Sequence, residues 1–219
     1  MIAKPVVILS KSLLVYLGLC TAIFLMLRLV ADYSAFRDDI DFLRFKQAYV
    51  GYWWWKSAFY IHVFTAIFAL MAGLVQFSKS FLRDHPLWHR IIGRLYAYDI
   101  IAINFPAGMV LAVFANGLLP GRIAFVLLDS LWFSFTLVAV AAARKGQIAR
   151  HREFMIRSYS MTFSAITLRL WKLILSHSFR IDPVHLYMID AWMGFVPNLL
   201  LAEWWIRNRR QRRYVIAGR

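Results

Sequence analysis

Six stretches of about 20 mostly apolar residues run through this chain, at roughly 12–31, 57–78, 92–115, 123–143, 154–176 and 186–206. A helix of about 20 residues rises about 30 Å, which matches the hydrocarbon thickness of a bilayer, and it satisfies its own backbone hydrogen bonds. Composition points the same way. With 61% hydrophobic and only 17% charged residues over 219 positions, no soluble interior is large enough to hide the apolar surface. The same figures exclude disordered, collagen-like and disulfide-scaffold chains. The expected fold class is all-α: a polytopic membrane helical bundle of six transmembrane helices. Residues 1–219 form a single integral membrane domain in this reading, with 207–219 as a basic tail.

The connections at about 117–122, 144–153 and 177–185 are short and carry turn formers such as Gly117, Pro120, Gly121 and Pro183. Consecutive helices should therefore pack as antiparallel neighbours. Only residues 32–56 leave room for a small cap or an interfacial helix. Lys4 and Lys11 precede the first apolar run, as in a cleavable signal, but the run is long for one and no small-x-small site follows. Cys20 is the single cysteine, so the chain has no intrachain disulfide.

Basic residues are distributed unevenly. In a six-span arrangement 17 of them lie on the side of the termini, among them Arg83, Arg90, Arg144, Lys145, Arg207 and Arg210, against six on the other side. The positive-inside rule then places both termini in the cytoplasm of a bacterial cytoplasmic (inner) membrane protein. The asymmetry accounts for the net charge of +15 without nucleic acid, and the Arg-rich tail suits anionic lipid headgroups. Trp53 to Trp55 on one side, with Trp88, Trp204 and Trp205 on the other, read as two aromatic belts.

Function should lie in the polar residues that lipid rejects. Asp99, Asp129, Arg169, Asp190 and Glu203 fall inside spans, and each needs an inward orientation and a partner. At about 1.5 Å per residue, His62, Asp129, Arg169 and Asp190 fall into one outer polar layer, Glu203 lies level with Arg94 and Arg157, where a buried ion pair is expected, and Asp99 and Asn104 sit nearer the middle. His62, Ala66, Ala69, Gly73 and Gln76 follow a helical rhythm on the second span. Met155, Ser158, Thr162, Ala165 and Arg169 do so on the fifth. These two seams are either packing interfaces or the walls of a ligand cavity.

The histidines divide into His62, His177 and His185 on the outer side and His85, His89 and His151 on the inner side. A b-type haem needs two imidazoles at one depth with cations near its carboxylates. His89 and His151, with Arg94 and Arg157, meet that requirement, although interfacial His and Arg pairs also mark ordinary helix ends. No metal-ligand cluster, zinc-protease helix, phosphate-cradling Gly loop, Ser elbow or dinucleotide fingerprint occurs.

The ordered set His62, Gly73, Gln76-Phe77, His89-Arg90, Gly93-Arg94, Tyr96, His151-Arg152, Met155, Arg157-Ser158, Leu168-Arg169, Pro197-Asn198 and Glu203 resembles a bacterial membrane family known as domain of unknown function 2306. The resemblance covers about residues 57–206 and implies a multi-span membrane protein without naming a substrate. In architecture alone the chain is similar to diheme b-type cytochromes, whose four central helices carry histidine pairs. Here the fourth span has no histidine, which leaves room only for a haem at the inner end.

Two classes of function follow. One is intramembrane electron transfer with haem b or quinone, using His89, His151, Arg94 and Arg157. The other is binding or transport of an anionic or amphiphilic ligand in a polar cavity built from His62, Gln76, Asp129, Arg169, Asp190, Asn198 and Glu203. A structural subunit of a membrane complex would leave the same charges as internal pairs.

Overall fold

The computed structural model describes the backbone of residues 3–217 and the side chains of residues 17–211. The side chains of Lys4, Lys11, Arg212, Arg213 and Arg219, which contribute to the charge asymmetry, lie outside the described residues. No strand occurs among the described residues, and the chain divides into two compact units, 1–48 and 49–219.

The first unit is the long apolar helix α1 (Ala3–Asp32), followed by two 3-10 turns at Tyr33–Ala35 and Asp41–Lys46. The Tyr33 hydroxyl staples this segment by donating to Asp41 Oδ2 at 3.0 Å and accepting from the Phe42 amide at 3.4 Å. The Gln47 side chain donates to the Asp38 and Leu43 carbonyls at 2.7 and 3.0 Å. The segment read from sequence as a possible cap is thus a folded one. Arg37 forks Asp39 and holds its carboxyl below the ordinary range, but both are fully exposed, so the pair contributes little.

The second unit contains α2 (Gln47–Val50, whose last two residues belong to it), α3 (Trp53–Gln76), α4 (Lys79–Asp84), α5 (Pro86–Tyr98), α6 (Phe105–Val113), α7 (Leu118–Arg144), α8 (Ile148–Thr162), α9 (Ser164–Ser178), α10 (Pro183–Met193) and α11 (Val196–Ala217). Local chemistry sets the boundaries. Ser78 caps α4 through the Phe81 amide, and Asp182 caps α10 by accepting from the Val184 and His185 amides. Prolines 86 and 183 occupy first-turn positions, where their missing N–H is not needed. Gly117 and Gly146 take positive φ of 82° and 69° at the two ends of α7. Between α5 and α6 the chain widens into a π turn, Asp99–Asn104. Pro106, just beyond it, has no amide to continue the regular ladder, and the Phe105 amide reaches back five residues to Ile100.

Five segments among the described residues are long and apolar enough to cross a membrane: Leu17–Ala35, Trp53–Gln76, Pro86–Val113, Leu118–Arg144 and Pro183–Gln211. The expected fifth span, 154–176, is not one of them. It is divided at Phe163 into α8 and α9 and carries Arg157, Arg169 and Lys172, so the count of apolar spans is five rather than six. The start of α7 meets α10, since a Cβ on Gly117 would lie 2.8 Å from the Tyr187 ring, and its far part meets α8, where His151 reaches the Ala139 carbonyl. Those two places are about 33 Å apart along α7. Residues 148–183 therefore carry the chain from one end of the unit to the other as a broken helix.

Ala69, Ala72, Tyr96, Ile100, Ala124, Trp132, Met161, Ala191 and Phe195 form the buried core. Its many small residues let the backbones approach closely. At Gly73 the approach leaves no room for a methyl: an added Cβ would lie 1.9 Å from the Tyr159 ring, whose hydroxyl donates to the Leu70 carbonyl. One belt residue departs from expectation. Trp53 is 79% exposed, but Trp55 is 1% exposed because it stacks on Phe59 at 5.8 Å.

Candidate functional site

The polar residues of the second unit sort into groups that are fully bonded and groups that are not. Tyr96, Trp132, Thr136, Ser158 and Thr162 are all buried and join α5, α7 and α8. The Tyr96 hydroxyl bonds Ser158 and Thr162 at 2.8 and 2.9 Å, the Trp132 indole donates to Thr162 at 3.0 Å, and Thr136 meets Ser158 at 2.8 Å. The Ser158 and Thr162 seam expected on the fifth span thus serves packing, and it faces α5 and α7.

Asn198 and Gln76 are also structural links. Asn198 Nδ2 donates to Thr167 Oγ1 at 2.9 Å, to the Gly194 carbonyl at 3.1 Å and to the Ser160 carbonyl at 3.3 Å. It therefore ties the break between α8 and α9 to the break between α10 and α11. Gln76 donates to the His89 carbonyl at 3.1 Å and clamps α3 onto α5. Glu203 takes a two-pronged contact from Arg157, with Nη2 to Oε2 at 3.0 Å, and the guanidinium lies 4.7 Å from the Phe154 ring centre. The sequence reading gave Arg157 two roles, an ion pair with Glu203 or a partner for a cofactor carboxylate; the structure shows the ion pair.

A second set of polar groups is buried without being satisfied. His62 Nδ1, Asp99 Oδ2, Asn104 Oδ1, Asp129 Oδ2 and Asp190 Oδ1 have no hydrogen-bond partner. Native structures hold few such atoms, and each requires a bound species or a structural reason. Three of these residues converge. Asn104 Nδ2 donates to Asp99 Oδ1 and to Thr65 Oγ1, both at 2.9 Å, and the other His62 ring nitrogen addresses the Asn104 carbonyl. Asp99 and Asn104 are five residues apart, a spacing that shares a face in a π turn but diverges by about 140° in an α-helix. Asp129 sits apart from them against α6, its Oδ1 only 2.8 Å from where a Cβ on Gly108 would stand.

Arg169 lies beside this region. Its Nη1 donates to the Ala165 carbonyl at 2.7 Å, and its charge acts on His62 of α3 and on Asp190 of α10. Lys172, one turn on, also acts on Asp190. In the packing, α9 touches α10 while α3 touches the π turn and α6, and Arg169 is exposed on α9. His62, Arg169 and Asp190 of the expected outer layer are within electrostatic reach of one another through Arg169. Asp129 is not joined to them by a hydrogen bond or ion pair among the described residues.

At the other end, His151 Nδ1 bonds the Ala139 carbonyl at 2.9 Å, which in a neutral ring leaves the Nε2 lone pair open. His89 Nδ1 is buried without a partner, and the two imidazoles are close enough to interact electrostatically. Arg94 is exposed on α5. Among the described residues no group of three or more His, Cys, Asp or Glu is arranged to hold a metal ion.

Sequence reasoning placed Asp99 and Asn104 in the membrane but not together, and it missed Thr65. The usable signal was Pro106, because a proline shortly after two polar residues marks the place where a regular ladder must widen.

No curated protein and no solved structure matches this chain. A family model does, over residues 59–206, which takes in most of α3 through the first half of α11. The chain therefore belongs to the family described as predicted membrane protein (DUF2306).

Proposed function

We propose that this membrane protein binds an anionic or amphiphilic small ligand inside the bilayer, between α3, the π turn and the α9–α10 pair. Arg169 supplies the counter-charge, and His62 and Asp190 form the polar rim. One observation carries the reading: the exposed Arg169 guanidinium on α9 is within electrostatic reach of His62 on α3 and of the buried Asp190 on α10. Broken helices such as α8–α9 and α10–α11 are a recurrent setting for ligands at membrane depth. Native mass spectrometry of protein extracted in mild detergent tests it. An anionic adduct should co-purify and fall about tenfold or more in Arg169→Gln, the effect of removing one charge-assisted contact. Equal adduct in both proteins overturns the reading.

The same proposal places the protein in a bacterial cytoplasmic membrane with both termini in the cytoplasm, α8–α9 supplying a sixth crossing. The Arg-rich end of α11, where Arg210 pairs with Glu153 at 2.7 Å and Arg209 lies 5.3 Å from the Trp205 ring centre, then meets anionic headgroups. A reporter active only in the periplasm, fused after Arg219, should stay silent; activity reverses the orientation.

A second reading has its own support in the proximity of His89 and His151. An anchored imidazole with a free Nε2, facing another with an orphaned nitrogen, fits the donor set of one b-type haem. His89 and His151 would hold the iron, and Arg94 would address a carboxylate, with Arg157 already engaged by Glu203. Such a group supplies one-electron transfer when bound. The chain itself contributes the Ala139 carbonyl, which orients His151, and Gln76, which fixes the backbone at His89.

A further inference from the structure

The π turn carries, on two hydrogen-bonded side chains, two oxygen atoms that have no hydrogen-bond partner among the described residues. Asn104 is fully buried and Asp99 is 5% exposed, yet Asn104 Oδ1 and Asp99 Oδ2 have no partner. Their remaining atoms are held firmly: Asn104 Nδ2 is shared between Asp99 Oδ1 and Thr65 Oγ1, and the Thr65 hydroxyl donates its own proton to the Ile61 carbonyl at 2.8 Å. Thr65 is also within hydrogen-bonding reach of Asp99, but its one proton is directed to the Ile61 carbonyl. With that proton so placed, the open positions, Asp99 Oδ2 and Asn104 Oδ1, are oxygen acceptors.

The charged and titratable groups around it sharpen the point. His62 on α3 addresses the Asn104 carbonyl, Tyr96 on α5 lies within electrostatic range of Asp99, and Asp129 on α7 stands against Gly108, one turn beyond Asn104. Arg169 acts on His62. No lysine or arginine acts on Asp99 among the described residues. A buried carboxylate without a compensating cation is costly, and unpartnered acceptors on two hydrogen-bonded side chains favour a positive guest.

We infer that Asp99, Asn104 and Thr65 form an intramembrane binding site for one small monovalent cation, a proton or Na+. Carboxylate, amide and hydroxyl oxygens are ligands for a hard ion, while a proton on Asp99 Oδ2 would supply the missing donor. The site goes beyond the Arg169 reading and stands without it, because it requires no organic ligand.

Infrared difference spectroscopy of the full-length protein in lipid distinguishes the two cations. In the proton case a carboxylic-acid stretch appears and vanishes with pH in choline chloride, and it is absent from Asp99→Asn. In the sodium case the stretch is lost on adding NaCl at constant pH, again only when Asp99 is present. Thr65→Val, which keeps the carboxylate, should weaken the Na+ dependence about tenfold or displace the pH midpoint, since one hydrogen-bonding oxygen is removed. The inference is overturned if Asp99→Asn and wild-type protein give the same difference spectra in both series, or if Thr65→Val leaves both responses unchanged. Neither outcome depends on the adduct test for Arg169, so the two proposals fail separately.

Discussion

Replacing Glu203 with leucine is expected to destabilise the folded protein by about 3 kcal/mol, more than any other single charge removal on this face. The Arg157 side chain is 13% exposed and that of Glu203 31%, so removing the acid strands a guanidinium in a mostly desolvated place. The cost lies in the orphaned charge and not in the lost attraction. Changing Arg157 to methionine in the same protein should therefore recover most of the loss. The Arg210–Glu153 pair is the internal control: Arg210 is 55% exposed, and Glu153→Gln should cost about 1 kcal/mol or less. Unfolding in mixed micelles of increasing denaturing-detergent fraction measures all four proteins. A Glu203→Leu variant within about 1 kcal/mol of wild type, or a double variant no better than the single, would show that Arg157 is satisfied from elsewhere.

The second large effect is spectroscopic and close to all-or-none. On the haem reading, protein purified from haem-replete cells shows the sharp reduced α-band of a bis-imidazole haem, and His89→Ala or His151→Ala abolishes it while leaving the protein inserted. Two imidazole nitrogens on one iron stand about 4 Å apart, given metal–nitrogen bonds of about 2 Å. That requirement suits rings that already sense each other's charge, with His151 pinned at Ala139. A wild-type protein without the band, or a band that survives both substitutions, removes the haem reading.

The membrane class was legible in the residue order because it depends on a one-dimensional property: runs of apolar residues long enough to span hydrocarbon. The expected spans at 57–78, 92–115 and 123–143 lie within a few residues of Trp53–Gln76, Pro86–Val113 and Leu118–Arg144. Residues 154–176 were harder. Their hydropathy permits a helix, but Phe163 interrupts it, and whether Arg157, Arg169 and Lys172 face protein or lipid depends on neighbours far away in the chain. The same limit applied to candidate residues. Asn198 and Gln76 read equally well as ligands or as links, and only contacts with Thr167, Gly194 and the His89 carbonyl make them links.

What the sequence determined by itself is the helical membrane fold and the set of polar residues within it, since each follows from composition and spacing along the chain. What only the tertiary structure decided is how those residues pair: Arg157 with Glu203, Asp99 with Asn104 and Thr65, His151 with the Ala139 carbonyl. The reason is physical. Burial of a polar group fixes that it must have a partner, but the partner's identity depends on helix rotation and on backbone irregularities such as the π turn at Asp99–Asn104. A widening of that turn moves a side chain to another face, and periodicity along a regular helix cannot register it.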